Sequence, residues 1–405
     1  MSRHMTEAPA LPLHMRREQF DPVEELLQVR DSGGITKVPT LFGGPPAYLI
    51  TRYEDVREVL SDAVRFSNAR TRRFERPDGP QFTEQELEQM RAGQMLAFDP
   101  PDHTRLRRML TPEFTVRRMR RLEPRIVEIV ESALDDIERA GKPADLVATF
   151  ALPVPSLVIC ELLGVPYADR SEFQQRTGRL LDVSLSAEDR VAVMRENRAY
   201  MTRLVKGAMA EPGEDMIGML IREHGDDLSF DELVGIASLL LIAGHETTSN
   251  MLGLGTLALL RHPEQLAMVR DDPEMVTPAV EEMLRWLSIV HSGIPRTTTT
   301  EVEIAGQVIP EGELLVVALP AANRDPGFIE DPGRMDITRG APGHVAFGHG
   351  VHHCLGAPLA RMEMHTAFPA LLRRFPNLAL AVPDDEVDFH VYNAIYGLRS
   401  LPVTW

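Results

Sequence analysis

The sequence predicts a mainly helical protein with a smaller β-rich lobe. Three observations carry that expectation. The stretch from Leu228 to His262 is the longest uninterrupted apolar pattern and holds no proline. Residues 123–225 follow helical spacing over most of their length. β-Branched runs gather in two places instead, 35–50 and 296–319. A chain of 405 residues can bury a large core, and it is expected to form a single domain over 1–405. Residues 1–15 are expected to form a flexible N-terminal tail. Hydrophobic content of 43% and charged content of 25% are ordinary for a soluble globular protein. A net charge of −17 argues against a general nucleic-acid binder. The polar start has no apolar segment of the kind a signal peptide or membrane anchor needs. Two cysteines suggest a reducing compartment. A cytoplasmic protein with no membrane or nucleic-acid partner, acting as a monomer, is the expectation.

Ile35–Val38 and Ala47–Ile50 read as strands around a turn-rich Phe42-Gly43-Gly44-Pro45-Pro46. Tyr53–Ser61 reads as a helix, with Val56, Val59 and Leu60 at helical spacing. Residues 67–97 carry five arginines and a short helical pattern from Thr83 to Arg91. They read either as a functional loop or as a solvated surface excursion. Pro100 and Pro101 set up a helix start. His103 and Arg107 follow, four apart and so on one helix face. A cationic pair so placed suits a pair of carboxylates, although a surface helix with scattered charge fits too. Eight arginines fall between 105 and 125 in an otherwise acidic chain. A docking patch for an acidic partner and a plain basic helix both stay open there. Cys160 lies among apolar residues and reads as core.

The long helix opens with Ser229-Phe230-Asp231-Glu232, a capping pattern. About 50 Å long at 1.5 Å per residue, it must cross the whole protein. Midway comes Ala243-Gly244-His245-Glu246-Thr247-Thr248. Glycine and a buried acid are costly inside an apolar helix. A local break or widening there would let Ala243 and Gly244 approach a flat ligand while Glu246 and Thr247 handle protons. Pro278–Leu287 reads as a helix carrying Glu282 and Arg285 on one face. Strands are expected at 296–304, Gln307–Ile309 and Leu314–Leu319, and an extended C-terminus at Val391–Trp405.

Near the end stands Phe347-Gly348-His349-Gly350-Val351-His352-His353-Cys354-Leu355-Gly356. A helix begins just beyond it. Backbone N–H groups and a helix N-terminus stabilise a thiolate. One sulfur so presented suits a single axial bond to a metal that something else already holds; a zinc site would need more ligands.

Phe-Gly-x-Gly-x-His-x-Cys-x-Gly resembles the haem-ligand loop of the cytochrome P450 superfamily. Ala-Gly-x-Glu-Thr at 243–247 resembles its oxygen-activating motif, and Glu282/Arg285 its Glu-x-x-Arg. The combined likeness, in family order along most of the chain, is to soluble bacterial, actinobacterial-type haem-thiolate monooxygenases. It implies the cytochrome P450 fold with haem b (iron protoporphyrin IX) between the cysteine loop and the long helix. Cys354 would be the iron ligand. His103, Arg107, Arg296 and His352 would bind the propionates. Phe347, Gly356, Ala243 and Gly244 would contact the macrocycle. Thr247 would hydrogen-bond dioxygen during its activation, and Glu246 would bring solvent protons. Arg334 would join Glu282 and Arg285 as a second arginine. The substrate would be a small hydrophobic organic molecule, such as a polyketide or terpenoid natural product. It would be hydroxylated or epoxidised in a pocket walled by 74–98, 171–195, 240–248, 289–294 and 393–396, with Ile242, Ala243, Val290, Ile294 and Ile395 in contact. Electrons would come from NAD(P)H through a ferredoxin reductase and a ferredoxin. Two rival readings keep the haem: a peroxide-using or reductive enzyme, and a non-catalytic haem-binding protein.

Overall fold

A computed structural model describes residues 10–41, 44–69, 82–166, 169 and 178–405. The parts of the expected pocket walls at 74–81 and 171–177 lie outside the described residues, as do Phe42 and Gly43 of the expected turn.

The long helix runs from Phe230 to Leu260, 31 residues or about 46 Å. Ser229 and Glu232 close a reciprocal capping box at its start: Ser229 Oγ accepts from the Glu232 N–H at 3.2 Å, and Glu232 Oε2 accepts from the Ser229 N–H at 2.8 Å. It packs on Pro153–Leu163, Ala187–Ala210 and Ala357–Arg374. Burial over most of its surface explains its largely apolar composition. Helices Val116–Ala140 and Ala357–Arg374 lie against each other behind it, joined at the surface by Arg374, which bridges Asp135 and Glu138.

The expected break at Ala243–Gly244 does not occur: the helix is continuous. Its polar side chains bond its own backbone instead. Thr247, Ser249, Asn250 and Thr256 donate to the carbonyls of Ala243, His245, Glu246 and Leu252 at 2.7–2.9 Å. Satisfied four residues back, these groups give the helix no reason to open.

The β-rich part is a five-stranded sheet in the order Ile35–Val38, Ala47–Ile50, Leu314–Val317, Ile294–Thr298, Phe66–Ser67. All pairs are antiparallel except Leu314–Val317 with Ala47–Ile50. Buried Ile50, Phe66, Leu315 and Val317 pack on Val56 and Leu60 of the helix Tyr53–Ser61. The expected strand 296–304 is two strands, Ile294–Thr298 and Val302–Ile304; the second pairs with Gln307–Ile309 around an Ala305–Gly306 turn, where both residues have positive φ. Leu319, expected at the end of a strand, starts a short helix.

Residues 1–9 of the expected N-terminal tail lie outside the described residues, and its end at 13–15 is not a free tail. Leu13–Met15 form a helical turn in which His14 and Met15 are buried. His14 Nε2 bonds the Ser292 carbonyl at 3.1 Å, and His291 Nδ1 the Met15 carbonyl at 3.1 Å. Contacts with a segment nearly 280 residues away fix this stretch. No described helix is long and apolar enough to cross a membrane.

Candidate haem-thiolate site

The cysteine loop is held by its own backbone. The Cys354 N–H bonds the Phe347 carbonyl at 2.8 Å, and the Gly348 N–H the Val345 carbonyl at 2.8 Å. Gly350 has φ +70°, and a Cβ there would lie 2.4 Å from the Leu60 carbonyl oxygen. The loop therefore presses on the end of Tyr53–Ser61, where only glycine fits. The helix Ala357–Arg374 starts three residues past the sulfur. Burial pushes the Cys354 thiol up, while the Gly356 and Ala357 N–H groups and the cations of Arg107 and Arg361 pull it down. Donors are thus aimed at a sulfur that would bear negative charge.

A tether fixes the loop from behind. Arg361 donates both arms to Glu281, at 2.6 and 2.8 Å, and lies over the Phe347 ring at 4.6 Å. His344 Nε2 reaches Glu281 at 3.1 Å. Burial alone would raise the Glu281 carboxyl, but these partners outweigh it and hold it at about 2. Glu281, Arg361 and His344 escaped the sequence reading; the available signal was Arg361, two turns beyond Cys354.

The four side chains expected at the propionates converge beside the loop. The rings of His103 and His352 meet with centroids 4.2 Å apart. Both nitrogens of both rings are buried and unpaired. Arg107 donates to the His353 carbonyl at 2.6 Å. Arg296, 2% exposed, donates to Asn68 Oδ1 at 3.0 Å and to the Pro295 carbonyl at 2.8 Å. Burial lowers Arg296 to about 10, against the pull of Asp99. Burial, reinforced by the nearby His103, Arg296 and Arg107 cations, lowers His352 to about 3. Buried donors without acceptors cost about 1–3 kcal/mol each. This cluster therefore fits an anion that supplies acceptors, as two propionates would.

On the long helix, Ala243 and Thr247 share an open face, while Glu246 is buried on another. Gly244 turns its side-chain direction toward Ile159, 2.9 Å from where a Cβ would stand. Glu246 Oε1 lies 3.5 Å from His245 Nδ1. Burial drops His245 to about 4 and lifts Glu246 to about 7, so the two do not form an ion pair near neutrality. Val290 and Ile294 are half-buried, as is Ile242, and Ile395 is 8% exposed. Segments 289–292 and 394–396 are joined by the Tyr396 N–H to Ile289 carbonyl bond at 2.8 Å.

Arg334 requires correction. Its side chain is exposed and pairs with Asp331 and Asp336, local carboxylates that keep it at the surface. Glu282 and Arg285 are fully buried and bond at 2.7 Å through both arms. Arg285 also donates to the carbonyls of Asn323, Pro332 and Arg334, and Glu282 accepts from the Asp336 N–H. Arg334 thus contributes its backbone alone. A buried arginine nearby, Arg324, donates to the Trp286 and Gly333 carbonyls and pairs with Asp21.

Among the described residues no cluster of three or more His, Cys, Asp or Glu could hold a metal. A lone sulfur with convergent N–H donors, beside two arginines and two histidines whose buried ring nitrogens lack partners, suits a haem-thiolate protein. The chain belongs to the cytochrome P450 family. The family model described as Cytochrome P450 matches residues 210–384. "Cytochrome P450 FAS1" of Rhodococcoides fascians is 55% identical over 395 residues, 98% of each chain. Among solved structures, "Structure of P450 StaH from glycopeptide antibiotic A47934 biosynthesis" is 44% identical with TM-score 0.85, covering 97% of this chain and all of that one. "Crystal structure of CYP105P1 in complex with filipin I" is 40% identical with TM-score 0.88, covering 98% and 99%. The fold is that of the family, and the protein is a cytochrome P450 monooxygenase.

Proposed function

We propose that this enzyme inserts one oxygen atom of dioxygen into a C–H bond or double bond of a mostly apolar natural product. The observation that carries the site assignment is the cluster of His103, His352, Arg107 and Arg296 beside Cys354, two of its members buried without acceptors. Cys354 would hold the iron through its sulfur. His103, Arg107, Arg296 and His352 would hold the propionates, and Phe347, Gly356, Ala243 and Gly244 would contact the macrocycle. When bound, the haem supplies the oxygen-activating chemistry, and a thiolate ligand favours O–O cleavage. The chain's own part is to position substrate and deliver protons. Thr247 donates its hydroxyl to the Ala243 carbonyl, leaving its oxygen free to accept from a ligand on the open face. Glu246, held at about 7, exchanges protons readily near neutral pH.

The names of similar proteins support the substrate class: one comes from antibiotic biosynthesis and one is complexed with filipin I. Ile242, Ala243, Val290, Ile294 and Ile395 are assigned to substrate contact. The two electrons come from NAD(P)H through a separate reductase and ferredoxin. Arg108, Arg117, Arg120 and Arg121 stay exposed and offer an acidic ferredoxin its landing charge. The chain works as one domain.

The test is a carbon monoxide difference spectrum of the reduced protein, followed by turnover with NADPH, ferredoxin and reductase. A thiolate-type band that Cys354→Ala abolishes is expected. Turnover on peroxide alone, with none from the electron-transfer pair, would instead select the peroxide-using reading.

A further inference from the structure

The tether behind the cysteine loop borders a recess of about 360 Å³. Arg57 of the helix Tyr53–Ser61, His349 and His353 of the loop, and Glu281 and Arg361 line it. His103, Arg107, Arg296 and His352 are not among its walls, so it is separate from the cluster expected at the propionates.

The acid in this lining is already engaged. Glu281 takes Nε and Nη2 of Arg361 at 2.6 and 2.8 Å, and Nε2 of His344 at 3.1 Å. His344 Nδ1 accepts the Ala346 N–H at 3.2 Å, so its other nitrogen carries the proton that goes to Glu281. Arg361 keeps Nη1 for a further acceptor. Arg57 pairs with Glu54 at 3.7 Å, but that carboxylate is 79% exposed, and a surface pair of this kind is worth little. One carboxylate thus stands against two guanidiniums in the lining, a local reversal of sign in a chain of net charge −17. Both guanidiniums stay charged at any working pH. Burial, and after it the Arg57 cation, lowers His349, with Glu54 pulling the other way. Arg57 and the His349 ring are therefore close enough to repel when both are charged. An anion between them would turn that repulsion into attraction.

We propose that this recess is a seat for one small phosphate-type dianion. Arg57 and Arg361 Nη1 supply charge, and the rings of His349 and His353 supply N–H donors, a set that suits a tetrahedral oxyanion. The ion is held by charge and hydrogen bonds alone; no bond is made or broken. Occupancy reaches the cysteine. Arg361 is one of the cations that pull the Cys354 thiol down. An anion beside it offsets part of that pull and leaves the sulfur a stronger electron donor, which lowers the reduction potential of an iron bound there. This second effect rests on reading Cys354 as the iron ligand. The seat itself does not.

The experiment titrates haem-loaded protein, with no redox partner present, with inorganic phosphate at constant ionic strength. Calorimetry reads binding, and a redox titration reads the haem midpoint potential. A saturable one-to-one site is expected, which chloride at the same ionic strength does not fill. Arg57→Ala should weaken phosphate about tenfold or more, the loss of one charge-assisted bond. Arg57→Lys should recover part of the loss, and His349→Ala should weaken binding severalfold. The potential should fall as phosphate saturates the wild type and stay constant in Arg57→Ala at the same concentrations. A heat that never saturates, or equal titrations in wild type, Arg57→Ala and His349→Ala, overturns the seat. Saturable binding lost in Arg57→Ala, with an unmoved potential in the wild type, overturns the tie to the sulfur alone. A repeat with glycerol 3-phosphate distinguishes the source: tighter binding than inorganic phosphate marks a phosphate ester as the occupant, and weaker binding marks the free ion.

Discussion

The imidazoles of His103 and His352 meet at a tilt with centroids 4.2 Å apart, and all four ring nitrogens are buried without a hydrogen-bond partner. Two residues 249 apart in sequence, from Asp102–Leu110 and the cysteine loop, share one shortfall. A single anion could relieve it. His103→Leu should therefore act with opposite signs on two properties. The haem-free protein should gain stability, because buried donors without acceptors cost about 1–3 kcal/mol. Haem retention should fall about tenfold or more, as a charge-assisted bond of about 1.5–3 kcal/mol is lost. Thermal melting of the haem-free form and haem transfer to an apo-globin measure the two.

Glu282→Ala should cost about 3–5 kcal/mol by leaving the Arg285 guanidinium buried and unpaired. Arg334→Ala should stay within about 0.5 kcal/mol, since only its main chain reaches Arg285. Urea denaturation of the two variants separates the roles. Equal losses would restore the Arg334 side chain to the pair.

The Glu246 carboxyl is raised in the folded protein from 4.5 to about 7. Its protonated form therefore favours the folded state. That contribution is complete below pH 4.5 and is lost as pH rises through 7, a swing of roughly 3 kcal/mol. Stability measured relative to Glu246→Gln should decline across this window. Product formed per NAD(P)H should also fall as pH climbs past about 7, and Glu246→Gln should flatten that limb.

Gly350→Ala should destabilise by more than about 1 kcal/mol, because a Cβ there meets the Leu60 carbonyl at 2.4 Å and φ is +70°. Gly306→Ala makes a matched control: φ is +76°, with nothing within 4 Å of an added Cβ. Both share backbone strain, so the larger loss at Gly350, read by thermal melting, isolates the contact.

Most of the helices and strands were legible because apolar spacing and turn residues speak locally. Tyr53–Ser61, Ile35–Val38 and Ala47–Ile50 match their patterns to the residue. The cysteine loop was legible for the same reason, its glycines and sulfur lying within ten residues. Arg334 misled because ion pairing depends on which carboxylates lie nearest in space. Asp331 and Asp336 claimed it. The break at Ala243–Gly244 misled because a motif shows that polar groups are present, not that their own backbone can satisfy them. A cavity of about 350 Å³ beside Glu246 was illegible, since its walls come from four separate segments between Val147 and Arg399.

Glu281 and Glu282 are sequence neighbours with different clients. The first holds Arg361 and His344, which brace the cysteine loop; the second holds Arg285 and the Asp336 N–H, which brace the segment before it. Successive residues on a helix point about 100° apart. One turn of Val276–Leu287 is thus an index mark that sets the azimuth of two otherwise independent stretches of chain. Adding or deleting one residue upstream within that helix would swing both carboxylates past their partners together. Surface loops can change length freely, but this helix cannot change its count.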